Sequence, residues 1–206
     1  MRKPKAESVK KNEIKVLSGS ERKKLETYLL SKLTLPNLCI LLSLYTGLRV
    51  GEICGLQWQD INFKQGSLSV TKTVQRIRLE NGKSKVIIGT PKTKSSVRKV
   101  YMPSFLVDIL KSYRSSPELF ILSEKLKPKE PRVLQYRFKA VMKKLNMNEF
   151  SFHSLRHTYA SMCIEKGFDP KTLSELLGHA DVKITLNTYV HSSDSLKKKY
   201  VKRLAG

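Results

Sequence analysis

The chain reads as an α+β protein, mostly helical, with one small three-stranded antiparallel sheet. Most of the sequence places apolar residues at helical spacing between recognisable start and stop signals. Residues 67–102 break that pattern and alternate apolar with polar positions, rich in Val, Ile and Thr. Within that stretch, Asn81-Gly82 is a hairpin signal of two residues.

In chain order, residues 1–16 are lysine-rich and weakly apolar, and are expected to be a basic arm or linker. Ser18 followed by Glu21 forms a capping box, which opens a helix running to about Ser31. Residues 35–45 are apolar nearly throughout and predict a buried helix ending near Gly47. Three strands are expected from SLSVTKTVQ (67–75), KSKVIIG (83–89) and VRKVYM (97–102), with residues 91–96 turning between the second and third.

A helix follows over 105–113, then a brief extended piece over 120–122. Residues 125–131 form a basic, proline-containing loop, and 133–145 an amphipathic helix carrying Lys139, Lys143 and Lys144. Residues 153–166 read as a further helix. Asp169 then caps a short helix with Pro170 at its first position and Gly178 closing it in a left-handed conformation. Asp181 caps another, which carries Tyr189. A last helix is expected over 196–204, with Leu196, Tyr200, Val201 and Leu204 on one stripe.

The 206 residues suffice for one domain with a real core. Forty Lys and Arg stand against seventeen Asp and Glu, a net charge of +23, so the expected partner is a polyanion. No apolar run reaches membrane-spanning length and no signal peptide opens the chain, which predicts a soluble, cytoplasmic protein with no membrane partner. Cys39, Cys54 and Cys163 are widely separated among apolar neighbours, so they are expected to be buried thiols in a reducing compartment.

The informative stretch is 151–191. It holds all four histidines, an arginine three residues after the first, and a tyrosine ten residues after the third. A single histidine on a helix is most often a packed or surface residue, and a single tyrosine is most often core. His153 and Arg156, however, share a helix face at i, i+3. The turn at Gly178 presents His179, and the next helix delivers Tyr189. A second cluster is TGLRVGEICGLQWQDI at 46–61, where Arg49 and Glu52 by themselves make an ordinary ion pair within one helical turn.

Together these blocks resemble the tyrosine recombinases of the phage integrase family. The matching segments are TGLRVGE with Leu56, Trp58, Asp60 and Ile61, then HSLRH at 153–157, LLGH at 176–179, and Tyr189. The resemblance covers residues 17–202 and is greatest to integrases of phages and conjugative transposons. It implies a catalytic domain over 17–206, without the core-binding domain that members usually carry in front of it. Without that domain, the chain is expected to be a fragment or reduced member with doubtful activity on its own.

It also implies site-specific recombination or integration of DNA through a 3′-phosphotyrosyl intermediate on Tyr189. The family's hairpin lysine, in a K-T-x-x-S-x-R-x-V context, maps to Lys92, with Lys94 as the alternative. Double-stranded DNA is the implied partner. The full-length protein is expected to act as a tetramer, with the 196–204 helix docked either on its own domain or on a neighbour.

The residue types suit that chemistry. Arg49 and Arg156 can neutralise a phosphodiester and the charge that grows on its non-bridging oxygens, and Glu52 can hold Arg49 in one orientation. A tyrosine needs those cations and a proton acceptor to attack near neutral pH, and His153 is the expected acceptor. His179 can donate to a phosphate oxygen. The leaving 5′-oxygen needs a proton, the role that the resemblance gives to Lys92. No Asp/Glu cluster suited to two-metal phosphoryl transfer accompanies these motifs, so neither metal nor cofactor is expected. A non-catalytic DNA-binding protein would account for the charge but not for the ordered Arg, His and Tyr set; a topoisomerase of related mechanism is the other alternative.

The charge alone makes one prediction. Affinity for duplex DNA should fall roughly a thousandfold between 50 and 200 mM salt if about six phosphates are contacted, because each contact releases counterions. A fluorescence-anisotropy titration across that range with little change in Kd would separate the net charge from DNA binding.

Overall fold

The computed structural model describes residues 14–91, 93–189 and 201. The basic arm up to residue 13, Lys92, and the expected helix over 196–204 apart from Val201 lie outside the described residues. The fold is built around the apolar stretch expected to be buried, helix α2 (Leu35–Thr46), which buries nine of its twelve residues. A helix apolar on all sides must be surrounded, and α1 (Gly19–Ser31), α5 (Pro131–Lys144) and α6 (Phe152–Glu165) pack against it.

The start signals act as the sequence implies. The Ser18 hydroxyl accepts from the Glu21 backbone N–H at 3.4 Å, and Glu21 accepts from the Ser18 N–H at 2.8 Å. Gly47 ends α2 at φ +66°, in the left-handed region. The chain then turns into the short α3 (Val50–Cys54). Helices α4 (Ser104–Ser112), α7 (Pro170–Leu177) and α8 (Val182–Tyr189) complete the described set. Asp169 caps α7 through the Thr172 N–H at 2.9 Å, Gly178 closes it at φ +66°, and Asp181 accepts from Lys183 N–H at 2.8 Å at the start of α8.

The expected three-stranded antiparallel sheet is present, but its strands are partly different. It runs in the order β1 (Ile61–Asn62), β2 (Ser67–Val70), β5 (Arg98–Tyr101), while β3 (Thr73–Arg78) and β4 (Ser84–Gly89) form a separate two-stranded ribbon. The stretch 67–75 is therefore two strands, not one. Pairing of Leu68 with both Ile61 and Val100 commits β2 to one buried face, whereas Val74 of β3 is buried where the strand runs against α3. Between them Lys72 leaves the ladder, and its ammonium lies 3.0 Å from Asp60.

The ribbon turn is also longer than two residues. Leu79 N–H donates to Lys83 C=O at 2.7 Å, so the tip is Glu80, Asn81 and Gly82, with only Gly82 at positive φ (+76°). A two-residue turn of the Asn-Gly type needs positive φ at both central positions, and Asn81 does not supply it. The extended piece expected at 120–122 reduces to isolated bridges from Phe120 to Gln57 and Lys125.

Buried side chains fall into two clusters. The larger surrounds α2; the smaller comprises Tyr159, Ala160, Cys163, Leu173 and Leu177, between α6 and α7. All three cysteines are buried free thiols. Among the described residues no helix is long and apolar enough to cross a membrane.

Gly47 joins the two clusters, since a Cβ there would lie 2.6 Å from a Tyr159 ring carbon and 2.9 Å from a Leu177 methyl. Gly47→Ala combines that overlap with a left-handed backbone and should cost on the order of 2–4 kcal/mol in urea unfolding. Gly19→Ala, in open space at the start of α1, should be neutral or slightly stabilising in the same measurement.

Candidate active site

The site begins with a carboxylate. Glu52 occupies the first turn of α3, 3% exposed, and receives four hydrogen bonds. The Arg49 backbone N–H (2.9 Å) and one Arg98 nitrogen (3.0 Å) donate to one oxygen; Arg49 Nη1 (2.8 Å) and the other Arg98 nitrogen (3.1 Å) donate to the second. Burial by itself would raise this carboxyl, but the Arg98 hydrogen bonds and charge, helped by Arg49, outweigh it and hold the group below the usual carboxylate range. The two guanidinia differ in access. Arg98 is 6% exposed at the start of β5, whereas Arg49 is 39% exposed and free to meet a ligand.

Arg156 is the largest fully buried side chain, at 2% exposure in α6. Its guanidinium donates to Gly47 C=O at 2.8 Å and Leu177 C=O at 2.7 Å. Both carbonyls stand at helix C-termini, where backbone dipoles concentrate negative charge and a cation is favoured. Burial, then the neighbouring Arg49, lowers its pKa to about 9, which leaves it charged at neutral pH. Arg98 also donates to Leu176 C=O at 2.7 Å, so two arginines hold the end of α7.

The histidines and tyrosine gather around these cations. His179 follows the Gly178 turn and lines a cavity of about 540 Å³ with Arg49, Glu52, Thr73, Thr93 and Ser96. Its Nδ1 is 2.8 Å from the Thr185 hydroxyl on α8. Burial, followed by the charges of Arg156, Arg49 and Arg98, lowers its pKa to about 4. His153 is lowered too, by burial and then by Arg156 and Arg49. His157, one turn further along α6, contacts His153 edge-on at 4.5 Å between centroids, and burial with the neighbouring His153 and Arg156 lowers it to about 4. All three imidazoles are therefore neutral at neutral pH.

Tyr189, the last residue of α8, has its hydroxyl 2.7 Å from His157 Nδ1. Burial raises the phenol above its ordinary value, and Arg156 and Arg49 oppose that without cancelling it. The expected acceptor was His153, but the phenol's hydrogen-bond partner in the structure is His157.

The structure thus brings together Arg49, Glu52, His153, Arg156, His179 and Tyr189, drawn from α3, α6, α8 and the turn after α7. Lys92 lies outside the described residues, and for Lys94 only the backbone is described, in a 3₁₀ turn over Lys94–Ser96. Lys139, Lys143 and Lys144 are exposed on α5. Sequence reasoning gave no role to Arg98, His157 or Thr185. Arg98 is the arginine of the K-T-x-x-S-x-R-x-V context and His157 the second histidine of HSLRH, so each had a motif position as its signal; Thr185 had only its place one turn before Tyr189.

Arg49 and Arg156 thus lie beside neutral imidazoles and a phenol, a set of groups able to bind an anion and to supply a nucleophilic oxygen. Residues 10–195 match the phage integrase family, and the chain belongs to it. Within it, the chain is 33% identical over 217 aligned residues to the "Tyrosine recombinase XerC-like" protein of Caldanaerobacter subterraneus subsp. tengcongensis, covering 93% of this chain and 54% of that protein. It is 29% identical to the "Transposase from transposon Tn916" of Enterococcus faecalis, covering 80% and 44%. The fold is also that of the Tn1549 transposon integrase solved in complex with transposon right end DNA, with a TM-score of 0.76 at 24% identity over 96% of this chain and 68% of the other. The chain spans about half the length of the curated relatives it matches.

Removing the Glu52 carboxylate leaves Arg98 buried without a counter-charge. Glu52→Ala should therefore lose about 3–5 kcal/mol of unfolding free energy. Because the folded carboxyl lies below its unfolded value, its contribution is present above the ordinary carboxylate range and disappears as pH falls through the folded value. Glu52→Gln should lack that component of acid destabilisation, which Tm measured across the acid range would reveal.

Proposed function

We propose that this chain is the catalytic domain of a site-specific DNA recombinase, cutting and rejoining duplex DNA through a 3′-phosphotyrosyl bond to Tyr189. The observation that carries this reading is the Tyr189 phenol hydrogen-bonded to a neutral imidazole within the field of Arg49 and Arg156. A non-enzymatic DNA binder needs the positive charge but has no use for that arrangement.

In this reading Arg49, the exposed guanidinium, meets the scissile phosphate directly. Arg156 supplies fixed positive charge and retains three N–H groups beyond the two given to carbonyls. Glu52 orients Arg49, and His179 donates to a non-bridging oxygen. His153 and His157 form the proton-handling pair: the phenol is hydrogen-bonded to His157, and His153 accepts the proton once a seated phosphate offsets the Arg156 and Arg49 charges that hold its pKa down. The oxygen of Tyr189 bonds to phosphorus as the 5′-oxygen leaves, and the hairpin lysine, Lys92 or alternatively Lys94, gives that oxygen its proton. The phosphotyrosine bond then passes the strand to a new 5′-hydroxyl without nucleotide hydrolysis.

Lys139, Lys143 and Lys144 extend the phosphate contacts along the duplex. The full-length protein assembles as a tetramer on DNA, with the 196–204 helix as a docking element, and works in the bacterial cytoplasm. The chain itself is residues 17–206 of catalytic domain behind a basic arm.

A nicked suicide duplex, from which the cut strand cannot be religated, tests the reading. A denaturing gel should show a protein–DNA adduct that forms in excess EDTA, because guanidinia supply the charge a metal would. Tyr189→Phe should abolish the adduct while leaving DNA affinity within a few-fold. An adduct in that variant moves the nucleophile elsewhere, and strict magnesium dependence sinks the mechanism.

A further inference from the structure

Thr185 is fully buried on α8, one turn before Tyr189, and its hydroxyl approaches His179 Nδ1 at 2.8 Å. A threonine inside a helix ordinarily turns its hydroxyl back to the carbonyl four residues earlier. Here that bond, to Asp181, is not made, and the imidazole is the hydroxyl's one hydrogen-bond partner among the described residues. The polarity of the contact follows. If His179 Nδ1 carried the proton and donated it, the hydroxyl hydrogen of Thr185 would be buried without an acceptor, an arrangement folded proteins avoid. The hydroxyl therefore donates and Nδ1 accepts.

We propose that Thr185 is a positioning residue. Its hydroxyl holds His179 in the tautomer protonated on Nε2, so that the imidazole presents an N–H, not a lone pair, to a non-bridging oxygen of the scissile phosphate. This rests on the reading of His179 as a phosphate donor and deepens it. A neutral imidazole has one donor nitrogen and one acceptor nitrogen, so the partner on one side fixes what the other side offers. His179 is neutral among its cationic neighbours, which makes the choice of tautomer decisive in the free protein. Nε2 has no protein partner among the described residues, and the ring lines the cavity that Arg49 also borders. The wrong tautomer would aim a lone pair at an anionic oxygen.

The contact has a second effect. Thr185 and Tyr189 lie at i and i+4, on one face of α8. The helix that carries the nucleophile therefore also sets the donor that meets the phosphate. Seating α8 and orienting His179 become one event.

The experiment reads the tautomer directly. Long-range ¹H–¹⁵N spectra of the full chain at neutral pH, with His179→Phe used to assign the His179 signals, should show His179 protonated on Nε2. Thr185→Val, close in shape to threonine, should lose that preference, and Thr185→Ser should keep it. On a nicked suicide duplex, adduct formation should fall roughly tenfold to a hundredfold in Thr185→Val and stay within about threefold of the parent in Thr185→Ser. A parent His179 protonated on Nδ1 overturns the proposal, as does a Thr185→Val protein with the parent tautomer. The phosphate-donor reading fails separately, if His179→Phe forms adduct at the parent rate. A slow His179→Phe beside a Thr185→Val of unchanged tautomer removes Thr185 alone.

Discussion

Everything in this site depends on how buried positive charge is held. One carboxylate, Glu52, serves two guanidinia, and a third, Arg156, is held by backbone carbonyls instead of a counter-ion. Three arginines against one glutamate give the site a surplus of positive charge in a region of low polarity. Burial first, and neighbouring positive charge second, lower His157 and His179 to about 4 and hold His153 below its ordinary value. In the proposed reaction, a phosphate entering beside the exposed Arg49 would recover the energetic cost of assembling like charges, so the interactions that oppose one another in the protein would provide affinity and transition-state stabilisation.

The parts of the fold written in local chemistry were legible in the sequence. The capping box at Ser18, the Asp169-Pro170 start and Gly178 stop of α7, and the Asp181 cap of α8 each satisfy backbone groups within a few residues, so no distant partner is needed to recognise them. The strands were harder. Nothing local in 67–75 says that the chain changes partner at Lys72; the decision is made by Asp60 and by α3, which are distant in the sequence. The Asn81-Gly82 pair marked the hairpin correctly but not its turn length, because a three-residue tip with glycine last uses the same two letters.

The site divides in the same way. Arg49, His153, Arg156, His179 and Tyr189 stood out through motif order, and the structure gathers them. Arg98 was hidden by abundance: in a chain with forty basic residues, one more in a basic hairpin looks like solvated charge until its contacts with Glu52 and Leu176 are seen. His157 and Thr185 were hidden for a different reason. His157 had a motif position as the second histidine of HSLRH, but its contact with Tyr189, like that of Thr185 with His179, joins separate elements and is seen only in the folded chain.

The carbonyls of Gly47 and Leu177 carry one more implication. An ion taken out of water usually needs its solvation shell rebuilt when a ligand arrives, and that rearrangement adds to the barrier of any reaction which follows. Arg156 brings its shell with it, as two peptide dipoles fixed in place by the ends of α2 and α7. Their orientation is set during folding. In the proposed reaction, the reorganisation that water would otherwise undergo around this cation has been completed once, by the chain, and the two left-handed glycines that terminate those helices are what keep it so.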